Sequence, residues 1–113
     1  MSLKEEFRDL NSLGISVYST NFRVKTLLND DEVAKIAFAF SKKEFRRAVD
    51  RNKVKRRCKC ALRDIAKYDR LVGGLYLVGG RRTLIELSYN DMLGELRYLL
   101  EKIYSSRSLE RKS

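Results

Sequence analysis

The stretch Asp50–Tyr68, DRNKVKRRCKCALRDIAKY, carries two interleaved stripes whose spacing decides how the chain is read. Val54, Cys58, Ala61, Ile65 and Tyr68 recur at steps of four, three, four and three, which at about 100° per residue makes one core-facing stripe of a helix. Asn52, Arg56, Lys59, Arg63 and Lys67 recur at four, three, four and four on the opposite side. Lys53 and Lys55 flank that second stripe, and Arg57 lies farther round toward the apolar edge. Roughly two turns of helix therefore offer concentrated positive charge to solvent.

Solvated helix faces usually alternate sign so that residues four apart stabilise one another. Here that compensation is nearly absent, and like charges at this spacing each cost about a few tenths of a kcal/mol. The penalty makes sense if phosphates occupy the face in the working state; a plain solvated face is the competing reading. Membrane phospholipid is the weaker alternative, because the side opposite the charges reads as core and no Trp or Phe cluster is available for insertion.

Charge over the whole chain points the same way. The 113 residues carry 25 Lys and Arg against 15 Asp and Glu, a net of +10, so an anionic partner is expected. Lys42 to Lys67 holds 12 of the basic residues and three acidic ones, Glu44, Asp50 and Asp64, so nearly all the excess lies in one segment. With 43% hydrophobic residues the chain can bury one modest core, which implies a single domain over 1–113, ordered over about 5–104, with 105–113 as a flexible polar tail. No apolar run approaches the roughly 18 residues that span a bilayer, and Met1 to Glu6 lacks the apolar stretch of a signal peptide. A cytoplasmic protein without a membrane partner is expected. Cys58 and Cys60 are the only cysteines and histidine is absent, which argues against a four-ligand zinc site. Residues two apart on a helix point in different directions, so both are read as reduced thiols, with Cys58 in the core.

Outward from the basic helix, Leu3 to Leu13 has apolar residues at helical spacing before Gly14 and predicts a short first helix. Phe22 to Leu28 and Val33 to Phe40 alternate about the polar cluster Asn29-Asp30-Asp31-Glu32, and two antiparallel strands joined by a tight turn fit best. Ile36, Phe38 and Phe40 share one face of the second strand and Ala37 and Ala39 the other, smooth enough for something to lie against it or packed under a helix. Leu75 to Val78, between Gly73-Gly74 and Gly79-Gly80, reads as a short buried strand with the glycines as turns. Arg81 to Leu87 is a candidate fourth extended segment. Ser88 with Asp91 resembles a helix start, followed by one apolar face of Met92, Leu93, Leu96, Leu99, Leu100 and Ile103.

A basic helix could enter a DNA major groove, but the upstream pattern is strand-like and supplies no helix-turn-helix partner, nor is a dimer element evident. Structured RNA is favoured, contacted through phosphates and 2′-hydroxyls by shape. Arg suits this through its rigid fork, and Asn52 both donates and accepts.

The segment Ser41-Lys42-Lys43-Glu44-Phe45-Arg46-Arg47-Ala48-Val49-Asp50-Arg51-Asn52-Lys53-Val54-Lys55-Arg56 resembles the signature of the bacterial ribonuclease P protein family, whose core reads Arg-Asn-Arg-x-Lys-Arg after a Ser-Lys-Lys and an Ala-Val. Phe7 and Gly14 fall at the family's spacing, and Leu87-Ser88-Tyr89 looks like its entry to the last helix, so the resemblance covers roughly residues 5 to 104. Lys53 stands where Arg is usual, Lys59 where a later Arg is common, and Cys60 where Glu or Gln is frequent. Charge is retained at positions 53 and 59 but the fork of Arg is lost. Asn11 and Lys25 occupy places where the family usually has aromatics, so stacking there is weaker or shifts to Phe7, Phe22 and the sheet near Phe38.

The resemblance implies an α+β fold: a two-layer α-β sandwich with a three- to four-stranded sheet and a left-handed βαβ crossover, ribosomal protein S5 domain 2-like, in the order α-β-β-α-β-(β)-α. Sequence physics alone would have predicted a right-handed crossover. It also implies an accessory subunit of a ribonucleoprotein endoribonuclease, in which a catalytic RNA, using Mg2+, removes the 5′ leader of precursor tRNA. Lys42, Lys43, Arg46, Arg47, Arg51, Asn52, Lys53, Lys55, Arg56, Lys59, Arg63 and Lys67 would contact the catalytic RNA, with one protein per RNA. Phe7, Asn11, Phe22, Lys25 and Phe38 would form a cleft for the leader. No catalytic or metal-binding residue is assigned to the chain itself. A ribosomal protein or RNA chaperone using the same stripe is the alternative.

Overall fold

Phe22, Val24 and Thr26 turn inward while Arg23 is exposed, the period-two burial that makes β2 (Phe22–Leu28) half core and half surface. The computed structural model describes residues 14–29, 33–68 and 71–112, with side chains as far as 105. Beside β2 lie β1 (Ile15–Tyr18), β3 (Ala34–Ala39) and β4 (Gly74–Gly80) in one sheet of order β1-β2-β4-β3. The helices are α1 (Ala48–Tyr68) and α2 (Tyr89–Lys112), and a short 3-10 turn spans Arg82–Ile85. The first helix predicted over Leu3 to Leu13 lies outside the described residues.

The predicted hairpin between β2 and β3 does not form. Strand β4 inserts between them, antiparallel to β2 with Val24 opposite Val78 and parallel to β3 with Phe38 opposite Val78. Alternation gives β2 and β3 one apolar face each, buried in β2 and partly buried in β3, but it carries no information about which strand lies alongside. The apolar run Leu75 to Val78 takes the interior position, where both edges of a strand are paired. Parallel neighbours need a long connection, which α1 supplies, completing the βαβ unit that the resemblance implied.

The fourth strand is β1, not Arg81 to Leu87, which forms the 3-10 turn and the bend after it. The glycines bracketing Leu75 to Val78 lie largely within β4 rather than in turns. Gly74 has φ +128°, and a Cβ there would meet the Leu27 carbonyl oxygen at 2.3 Å, so neither the backbone angle nor the space admits a side chain.

Both helices contribute to one core. Val54, Cys58, Ala61, Leu62 and Ile65 of α1 meet Met92, Leu96, Leu99, Leu100 and Ile103 of α2, together with Phe22, Val24, Tyr76 and Val78 of the sheet. Thr26 is fully buried there and its hydroxyl donates to the Leu75 carbonyl at 2.7 Å, which removes the cost of burying it. The result is the mixed α+β, two-layer arrangement expected. Ser88 starts α2 as read from the sequence: the Asp91 N–H donates to its hydroxyl at 3.1 Å. That helix runs to Lys112, through most of the stretch expected to be a tail.

Candidate nucleic-acid interface

The core fixes which way α1 faces. Because Val54, Cys58, Ala61 and Ile65 are buried against α2 and the sheet, Asn52, Lys53, Lys55, Arg56, Lys59, Arg63 and Lys67 must point outward, and all seven are exposed. Two residues depart from the predicted apolar stripe. Tyr68, the last residue of the helix, is 84% exposed because it extends past the core. Leu62, left out of that stripe, is buried and packs on the side of α1 nearest β3.

Little negative charge offsets this face. Lys67 Nζ lies 3.9 Å from Asp64 Oδ1 with both side chains exposed, a pair that contributes little. Asp64 also accepts a hydrogen bond from the Tyr89 hydroxyl at the start of α2. Arg57 is turned out of the stripe, as its position near the apolar edge predicts: its Nη2 donates to the Leu87 carbonyl at 2.6 Å and ties α1 to the segment before α2.

The loop entering α1 extends the cationic surface. Lys42, Lys43, Arg46 and Arg47 are exposed there. Phe45 anchors the loop, fully buried among the core residues, and its carbonyl accepts Arg51 Nη1 at 2.8 Å. Arg51 is thus a brace as well as a cation; its guanidinium has further donors for an outside acceptor. Glu44 accepts the Arg82 N–H at 3.0 Å, fastening the loop to the turn after β4.

Of the predicted cleft residues, Phe22, Lys25 and Phe38 do not share one surface. Phe22 is 2% exposed in the core, and Phe38 faces α1, in a groove with Lys59, Leu62 and Arg63. Lys25 is on the opposite side of the sheet, because adjacent strand residues point to opposite faces. Phe7 and Asn11 lie outside the described residues.

On the sheet face away from α1, Lys25 instead shares a shallow hollow of about 170 Å³ with Arg23, Ala39, Leu77 and Gly79. Ala39 belongs to this hollow, whereas α1 lies over Ile36 and Phe38. Strand register places Tyr18, 59% exposed, directly beside Arg23. A larger hollow of about 500 Å³ at the end of the sheet is lined by Arg23, Lys43 and Arg81 among others, joining this face to the loop before α1. Arg23 was legible from strand alternation; Tyr18 was not, since β1 is only four residues long.

Burial pushes the Cys58 thiol up to about 12, against a partial opposing effect of Arg57, so this sulfur is a core group. Cys60 is exposed, and both cysteines are free thiols. No helix of the described residues is long and apolar enough to cross a membrane.

The family model described as Ribonuclease P matches residues 1–104. The ribonuclease P protein component of Carboxydothermus hydrogenoformans is 31% identical over 102 residues, covering 89% of this chain and 87% of the relative. Among solved structures, the Staphylococcus aureus RNase P protein superposes with a TM-score of 0.69 at 24% identity, over 89% of this chain and 91% of that one. The Thermotoga maritima RNase P protein gives 0.71 at 24% identity, over 91% and 96%. These two structures speak for the fold, whereas the sequence match over nearly the whole chain speaks for descent: the chain belongs to the ribonuclease P protein family.

Proposed function

We propose that this protein is the accessory subunit of ribonuclease P, binding the catalytic RNA through α1 and the loop before it, and the 5′ leader of precursor tRNA on the opposite sheet face. The observation that carries this reading is the row of seven exposed polar and basic residues on α1, held outward by a core stripe on the same helix. Such a face neutralises phosphates without reading sequence, which suits a folded RNA. Arg23 and Lys25 would hold leader phosphates, with Tyr18 offering a ring to a base.

Binding both RNAs screens the repulsion between them and raises their joint affinity for divalent metal. The Mg2+ ions that hydrolysis uses are assigned to the RNA. Hydrolysis of the leader is likewise assigned to the RNA, in the cytoplasm, with one protein per RNA.

The test is reconstitution at low magnesium. Stoichiometric protein added to the catalytic RNA should accelerate cleavage of a leader-bearing precursor more than that of a substrate with a minimal leader. No stimulation would overturn the proposal and leave the ribosomal-protein or chaperone reading of the same basic helix.

A further inference from the structure

Strand β3 is an edge of the sheet, and between it and α1 runs a groove of about 250 Å³ lined by Ile36, Phe38, Leu62, Ala66 and Leu71, with Lys59 and Arg63 completing the lining. Its floor is apolar and its cations belong to the exposed basic face of α1. Phe38 is held in place as one end of a row of rings. It stacks on Phe40 with centroids 5.8 Å apart and planes at 21°, and Phe40 meets the fully buried Phe45 edge-on at 5.3 Å. A fixed ring on an apolar floor beside two cations is the arrangement that takes a nucleobase together with its phosphates.

We propose that this groove receives one unstacked base of the RNA that lies along α1, the base resting against Phe38 and Leu62 and its flanking phosphates on Lys59 and Arg63. The inference rests on the RNA-binding reading of α1 and adds a subsite to it. Lys59 and Arg63 are one helical turn apart, about 6 Å along the axis, so both reach the phosphates flanking a single nucleotide. A duplex resting on α1 contributes only its backbone. An extruded base adds a contact that no paired segment can make, and so gives a shape-reading helix a point of register along the RNA.

Two measurements test the inference. Zero-length ultraviolet crosslinking of the protein to the full-length catalytic RNA should join the Phe38-bearing peptide to an unpaired nucleotide, and an abasic replacement at that nucleotide should weaken binding about tenfold. Ala66→Tyr, which fills the groove from its exposed lip, should lose the same factor. Combined with the abasic RNA it should cost nothing more, and it should leave the salt dependence and the melting temperature of the protein unchanged. An Ala66→Tyr protein that binds the catalytic RNA as tightly as the wild type would overturn the inference and leave the groove to another occupant, such as an extended peptide adding to β3. Additive losses would overturn it too, since they report a clash rather than a lost base. Wild-type binding that is insensitive to salt would instead remove the α1 reading on which the subsite depends.

Discussion

The Tyr89 hydroxyl donates to the Asp64 carboxylate, so the first residue of α2 is latched to the C-terminal half of the basic helix. The bond gives a second partner to a carboxylate that already lies near Lys67 on the basic helix. It also raises the Tyr89 hydroxyl from 10.0 to about 12, with the hydrogen bond to Asp64 as the main cause and desolvation and the charge of Asp64 adding to it. A proton held more tightly in the folded state stabilises the fold fully below pH 10 and loses that effect as pH rises toward 12. Absorbance titration at alkaline pH should show a late-ionising phenol that Tyr89→Phe removes. Wild type and Tyr89→Phe should then converge in melting temperature between pH 10 and pH 12.

The α1 face predicts a salt law. About five phosphate contacts to RNA give a log-log slope of affinity against salt of roughly −3.5 to −4.5. Arg56→Ala and Arg63→Ala should each flatten that slope by about 0.7 to 0.9 while changing stability by less than about 0.5 kcal/mol. Filter binding across a salt series measures the first and urea denaturation the second. A slope near zero would contradict the basic-face reading.

Periodicity puts Tyr68 in the core stripe of α1, whereas the structure exposes Tyr68 and buries Leu62. Leu62→Ala removes a buried side chain and should cost about 2–5 kcal/mol in urea denaturation. Tyr68→Ala, at a position 84% exposed, should change stability by less than about 0.5 kcal/mol. Equal costs would place the α1 core stripe elsewhere.

The two thiols separate by reactivity. Cys60 is exposed, whereas Cys58 is buried with its thiol raised from 9.0 to about 12, so almost no thiolate exists there at neutral pH. A disulfide reagent should label one cysteine rapidly in the native protein and the second only at the rate of unfolding. Cys60→Ser should abolish the fast phase. Burial of the neutral Cys58 thiol favours the fold fully below pH 9, and that contribution is lost as pH rises toward 12.

What the sequence made legible follows from the range of each signal. The α1 stripes apart from Tyr68, the Ser88 start of α2 and the inward face of β2 rest on local periodicity, and the structure shows them. Strand neighbours are a global property: Val24 pairs with Val78 rather than with β3, and no residue of the Asn29 to Glu32 cluster signals that. Strand β1 was missed because four alternating residues hardly differ from a loop. The cleft fared worst for a related reason. Aromatic character alone points to Phe22 and Phe38, but strand parity puts both on the core side and Lys25 on the other.

That parity yields the final prediction. On the sheet face carrying Arg23 and Lys25, register brings Tyr18 beside Arg23, so an exposed ring and two cations share one surface without either of the misplaced phenylalanines. A ring at the sheet edge can stack on a leader base, which is worth about 1–3 kcal/mol per base, whereas Lys25 acts on the backbone through charge. Tyr18→Ala should therefore weaken binding of a leader-bearing precursor to the reconstituted enzyme by about tenfold with an unchanged salt slope. Lys25→Ala should weaken it while flattening the slope. Neither should alter binding of mature tRNA, which has no leader to lie on this face. Equal losses for precursor and mature tRNA would move the leader off this sheet and return both residues to a general electrostatic role.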